Sequence, residues 1–139
     1  MSVQHAMSTS VAVVTAEDSA AHAADLLVER NVTGLPVVDP DGHVVGVVSD
    51  LDLIWTLRHG VDLREATVAE VMDARPLFVE PETDLATVVD LMEEWRVRRL
   101  PVCEAGRVVG VISRGDVLRM LHTRESVPGR IKHAALGDM

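Results

Sequence analysis

Aromatic side chains are nearly missing from this chain, which has no tyrosine, one phenylalanine and two tryptophans in 139 residues. Its interior must therefore be aliphatic, and the 47% of apolar residues suffices to build one from Val, Leu, Ala and Met. Internal disulfides are excluded because Cys103 stands alone, and without a CxxC partner it anchors no zinc motif. A reducing compartment is compatible with that usage. Basic charge is scarce: 13 Lys and Arg face 22 Asp and Glu, a formal net charge of -9. Non-specific nucleic-acid binding needs clustered cations to displace counterions from phosphates, so no nucleic-acid partner is expected. No apolar run approaches the ~18 residues of a membrane span, and no basic region followed by an apolar run opens the chain. A cytoplasmic protein without membrane contact is the expectation.

What the chain does have is a repeat. Gly46-Val47-Val48-Ser49-Asp50-Leu51-Asp52 returns as Gly110-Val111-Ile112-Ser113-Arg114-Gly115-Asp116. Adding 65 to the residue number carries Ala6-Met7 onto Val71-Met72, Val14 onto Val79 and Leu35-Pro36-Val37 onto Leu100-Pro101-Val102. One extra residue in the Asp39-Pro40-Asp41-Gly42 turn of the first copy then lowers the offset to 64, a change a turn tolerates.

Local signals agree between the copies. Ala20, Ala23, Ala24 and Leu27 recur at helical spacing, and Leu85, Val88, Val89 and Met92 occupy the equivalent places. Asp18 or Ser19 and Thr83 or Asp84 are suitable N-caps, while Arg30 and Arg96 suit the negative pole at the helix ends. Two apolar runs follow each helix, joined at Asp41-Gly42 and at Ala105-Gly106 as hairpins. A second helix carries Leu53, Ile54 and Leu57, matched by Val117, Leu118 and Leu121. Each unit therefore reads β-α-β-β-α, an α/β (α+β) pattern. The expected division is a first unit over 1–60, a linker over 61–70 leading into a helical turn near Val68, a second unit over 71–122 and an extended or partly ordered tail over 123–139.

The Ser-x-x-Asp runs have two readings. As capping boxes, hydroxyl and carboxylate satisfy orphan amides at a helix start, and every helix needs a cap whereas ligand sites are few. As ligand sites, the helix amides and serine face an anion, and the aspartate accepts hydrogen bonds from the vicinal hydroxyls of a ribose. A glycine three residues before each serine permits close backbone approach.

Taken together, Ala6-Met7-Ser8, Val71-Met72-Asp73, Gly34-Leu35-Pro36-Val37-Val38-Asp39, Arg98-Arg99-Leu100-Pro101-Val102 and both Gly-x-x-Ser-x-x-Asp runs recur in order and in duplicate. From about Val3 to Leu121 the chain resembles a tandem pair of cystathionine-beta-synthase (CBS) domains, a Bateman module. The resemblance implies two pseudo-twofold related β-α-β-β-α CBS units with two clefts for adenosine-containing ligands, each cleft drawing on both copies. It implies ribose contacts from Asp52 and Asp116 and phosphate contacts from Ser49, Ser113, Arg98 and Arg99. By the same carry-over Met72, Asp73, Leu77 and Val97 enclose the base beside Asp52, and Met7, Ser8, Val11, Val32 and Thr33 enclose it beside Asp116. Because Thr33-Gly34 stands where the second copy has Arg98-Arg99, the Asp52 cleft is expected to be the stronger site for a phosphorylated nucleotide. The bland alternative for Arg98 and Arg99 is a solvated helix end neutralised by Glu93 or Glu94.

Other candidates carry less. The six histidines show no metal spacing, and no Cys-His or Ser-His-Asp set can be assembled. Cys103 falls in an apolar run where a small buried residue is the default. Trp55 and Trp95 suit either a dimer interface or a cover over their own core. The expected protein is a stand-alone binding module rather than an enzyme, with no obligatory cofactor. Its regulatory ligand is AMP first, then ADP, ATP, S-adenosylmethionine or NAD, and its partners are a second copy in a homodimer and a separate effector protein. The other reading is a dimerising or protein-interaction scaffold with vestigial clefts.

Overall fold

The computed structural model describes residues 1–124, and among them eleven regular elements, the first a short 3-10 helix at Val3–His5, follow from cap and turn chemistry that the two copies largely share. Strand β1 (Val14–Thr15) leads into helix α1 (Ala20–Arg30), whose N-cap Ser19 accepts a hydrogen bond from the His22 amide. Ala20, Ala23 and Leu27 form its buried stripe. Helix α1 stops where Asn31 turns left-handed at φ 53°, a conformation that asparagine tolerates. Strands β2 (Gly34–Val38) and β3 (Val44–Ser49) then form an antiparallel hairpin, and helix α2 (Asp50–Arg58) starts on the serine that ends β3.

The second copy repeats these steps. After the short helix α3 (Val68–Val71), helix α4 (Leu85–Trp95) is capped by Asp84, buries Leu85, Val88 and Met92, and ends on a left-handed Arg96. Strands β4 (Arg99–Glu104) and β5 (Arg107–Ser113) pair antiparallel and run into helix α5 (Arg114–Arg124). Even the irregularity recurs: the ladder slips between Val37 and Val38 in one hairpin and between Val102 and Cys103 in the other. One expectation is shortened. Strand β1 pairs in parallel with β2, but its counterpart reduces to a single parallel bridge between Val79 and Val102. Val89, on the expected buried stripe of α4, lies at the surface.

Each copy has its own aliphatic core, and each core is completed by the other copy's leading segment. Val3 is buried in the second core, tied there by its amide to the Thr83 carbonyl at 2.9 Å. Conversely Leu63, Ala66 and Val68 are buried in the first core. The amides of Ala20 and Ala21 donate to the carbonyls of Ala66 and Leu63. The stretch 61–70, expected as a linker, thus supplies core residues from a sequence that is half polar. This exchange ties the copies into one unit, because neither buries its apolar face fully without the other's segment. The expected tail, apart from Thr123 and Arg124 at the end of α5, lies outside the described residues.

Candidate functional site

Both Ser-x-x-Asp runs form complete capping boxes. At the start of α2 the Asp52 amide donates to Ser49 Oγ at 3.2 Å, and the Ser49 amide donates to Asp52 Oδ2 at 2.9 Å. At the start of α5 the Asp116 amide donates to Ser113 Oγ at 3.1 Å, and the Ser113 amide donates to Asp116 Oδ2 at 2.9 Å. The remaining oxygens differ. Asp116 Oδ1 is taken by the Arg119 guanidinium, whereas Asp52 Oδ1 has no partner among the described residues.

The glycines of the motif serve the chain itself. Asp73 pairs with Val47 through reciprocal backbone hydrogen bonds of 2.9 and 3.0 Å, and Ser8 pairs with Val111 through two of 2.9 Å. Each leading segment thus lies across the last strand of the other hairpin, beside Gly46 and Gly110. The close approach read from sequence is therefore made by backbone rather than by a ligand.

This crossing opens a cleft of about 580 Å³ at the start of α2. Ser49 and Asp52 line it from the first copy; Asp73, Leu77, Val97, Arg98 and Arg99 line it from the second. Those seven were expected together. Met72 was expected with them but packs on the first core. Thr33 was expected beside Asp116, yet it lines the Asp52 cleft and its carbonyl accepts from the Asp50 amide at 2.9 Å. Met7 and Ser8 lie against Gly110, on the strand that leads to Ser113. Val32 packs on the first core, and Val11 is half-buried in the extended segment before β1.

Arg75, Arg96 and Asp50 also line the cleft and were missed. Arg75 sits two residues beyond Asp73 in the crossing segment, and that neighbourhood was its available signal. Four guanidiniums (Arg75, Arg96, Arg98, Arg99) face three carboxylates (Asp50, Asp52, Asp73), leaving one positive charge in excess. Asp73 is committed to Arg75, whose guanidinium grips it at 2.7 Å and holds its carboxyl below the usual range. Neither Arg98 nor Arg99 forms an ion pair among the described residues, so the neutralised helix end is not the arrangement present. Burial pushes the Arg99 guanidinium down from its ordinary value, with Asp116 and Asp50 opposing that shift. Its Nε is buried without a partner, a cost the fold accepts at this point.

Elsewhere, Trp95 packs on the second core while Trp55 is exposed and stacks on His59 at 3.8 Å. In the β2–β3 turn the ligand atoms of Asp39, Asp41 and His43 lie within 4.8 Å of one another. No described helix is long and apolar enough to cross a membrane.

The family model for the CBS domain matches residues 3–59 and again 68–123. Among curated proteins, the chloroplastic CBS domain-containing protein CBSX2 of Arabidopsis thaliana is 36% identical over 135 residues, a match covering 77% of this chain and 57% of CBSX2. The match to its relative CBSX1 covers 53% of that protein, so the chain spans little more than half of either. Among solved structures, CBSX2 in complex with AMP superposes with a TM-score of 0.76 at 35% identity, over 88% of this chain and 97% of that one. Hypoxic Response Protein I, with two coordinated zinc ions, superposes with a TM-score of 0.79 at 27% identity, over 86% and 98% of the two chains.

Proposed function

The chain belongs to the CBS domain family, carrying that domain twice in tandem, and from that membership we propose that it is a regulatory module binding an adenosyl ligand. One observation carries the reading: the cleft that holds Asp52, with its spare carboxylate oxygen, also gathers an excess of guanidinium charge. A ribose diol is a donor pair for the first, and a phosphate is the natural guest of the second. AMP comes first because CBSX2, 35% identical to this chain over the superposed region, was solved with AMP; ADP, ATP, S-adenosylmethionine and NAD follow. In this assignment Asp52 holds ribose, Ser49, the α2 amides, Arg98 and Arg99 hold phosphate, and Leu77 and Val97 flank the base. Asp116 and Ser113 play the corresponding parts in the second cleft, where the committed Oδ1 of Asp116 makes ribose binding weaker.

Binding rather than turnover fits the site, since Asp73 is spent on Arg75 and Asp52 Oδ2 on the helix cap. A regulatory output then requires that the ligand favour one arrangement of the protein over another, since a ligand binding both equally shifts nothing. We assign that output to a homodimer acting on a separate effector in the cytoplasm.

Calorimetric titration of nucleotide-stripped protein with the five ligands tests this. Micromolar affinity for one of them, weakened ~10–100-fold in Asp52→Ala and less in Asp116→Ala, is the expected result, as for hydrogen bonds to a charged group. The completeness of both capping boxes favours a second reading, a scaffold in which the motifs only start helices. No heat from any ligand, with Asp52→Ala costing only the ~1 kcal/mol of a lost cap, would establish it.

A further inference from the structure

Arg99 and Gly34 hold the same place in the two copies, one opposite Ser113 and the other opposite Ser49 in their hairpins. They also meet in space, since Arg99 Cδ lies 3.3 Å from where a β-carbon on Gly34 would stand. A narrow void between the hairpins is lined by Gly34 with Arg99, Pro36 with Pro101 and Val47 with Val111, each pair being one position seen twice. The pseudo-twofold axis therefore passes here, and Arg99 is a side chain on it that has no twin. Its stem lies over the glycine, in the space a twin would need.

The guanidinium is poised rather than committed. It lines the Ser49/Asp52 cleft, yet the carboxylates that act on it are Asp116 of the other motif and Asp50 of this one, with Arg98 the neighbouring cation. It makes no ion pair among the described residues, and its Nε is buried without a partner. Five donors in one planar fork suit a phosphate better than this surrounding does.

We propose that Arg99 is a single anion ligand shared between the two clefts, so that a phosphate held beside Ser49 withdraws it from the cleft beside Ser113 and the two clefts bind phosphorylated ligands with negative coupling. The inference rests on the nucleotide reading above. Coupling of this kind is reciprocal, so a phosphate beside Ser113 weakens the Ser49 cleft by the same factor. A nucleoside without phosphate does not engage Arg99 and leaves the clefts independent. Gly34 makes the sharing possible, because a longer side chain there would fill the space the arginine occupies.

The test is calorimetric titration with AMP and with adenosine on wild type, Asp52→Ala and Asp52→Ala/Arg99→Gln. For AMP, wild type should show a second event ~10-fold or more weaker than the first, within the usual range of coupling between sites. In Asp52→Ala the remaining cleft should bind AMP about tenfold tighter than that second event, because Arg99 is free to serve it. Adding Arg99→Gln should remove the gain, and adenosine should bind beside Ser113 equally well with and without Asp52. AMP affinity beside Ser113 that is the same whether or not Asp52 is present, or a gain in Asp52→Ala that survives Arg99→Gln, overturns the sharing while leaving nucleotide binding intact. Absence of binding by both AMP and adenosine overturns the nucleotide reading and the sharing together.

Discussion

The carbonyl of Asp73 lies so close to Gly46 that a β-carbon on the glycine would overlap it. The symmetric contact at Gly110 puts the Ser8 carbonyl 2.7 Å from the same point. In both places the obstacle is main chain fixed by two hydrogen bonds, so it cannot swing aside as a flexible side chain would. Gly46→Ala should therefore destabilise by ~1–3 kcal/mol, the cost of overpacking, and lower the urea midpoint at unchanged slope. Gly34→Ala meets only the flexible Arg99 stem and should cost less. Equal midpoints for wild type and Gly46→Ala would mean that the crossing segment yields freely.

Much of this was legible because it is local. Caps, hairpin turns and helix stripes depend on neighbours a few residues apart, and Ser19, Asp84, Gly42 and Gly106 stand where such chemistry needs them. The repeat doubled every one of those signals. What escaped was the part of the contact across the axis that builds the cores. Nothing near Leu63 or Ala66 in sequence says that they complete the first core, since the helix they pack against belongs to an earlier segment. The resemblance puts Thr33 beside Asp116 and Met72 beside Asp52, whereas Thr33 lines the Asp52 cleft and Met72 packs on the first core. The strand expected at Val79 reduces to one bridge with Val102, and its first-copy counterpart, Val14–Thr15, is itself only two residues long.

An apolar face on α2 carries the dimer prediction. Leu51 is 67% exposed, Ile54 58% and Trp55 60%, at i, i+3 and i+4 on a helix whose buried residue is Leu53. Large side chains left in water on one short helix are the material of an interface. Light scattering behind size-exclusion chromatography should give a dimer for wild type and a monomer for Trp55→Glu with its circular dichroism intact. A wild-type monomer at tens of micromolar chain would remove the homodimer from the proposal.

Cys103 should behave as an inert core residue. It is fully buried, and that burial pushes its thiol up to about 11 from an ordinary 9.0. An aromatic disulfide reagent at neutral pH should react with the native protein only as fast as the strand opens, and at once in denaturant. The sign for stability follows from the raised value: the unfolded thiol ionises first. Its contribution is thus intact below about pH 9.0 and is lost as pH rises through the folded value of about 11. Cys103→Ala should remove this alkaline component, and an unchanged pH profile would show that it arises elsewhere.

Arg96 joins strain to charge. It ends α4 with φ 55° and ψ 48°, a left-handed conformation in which asparagine or glycine is at ease and arginine is not, and Asn31 holds the equivalent place in the first copy. A non-glycine residue there costs roughly 1–2 kcal/mol, and such costs persist where the side chain serves a purpose. Arg96 lines the cleft beside Arg98 and Arg99, where its charge adds to the excess awaiting a phosphate. Arg96→Gly should then raise the unfolding free energy by ~1 kcal/mol while weakening AMP binding several-fold, with adenosine binding little changed. The opposition of the two effects is the discriminating feature. Greater stability with AMP affinity unaltered would make Arg96 a surface residue whose strain has no function, and lower stability would show that its stem supports the end of the helix.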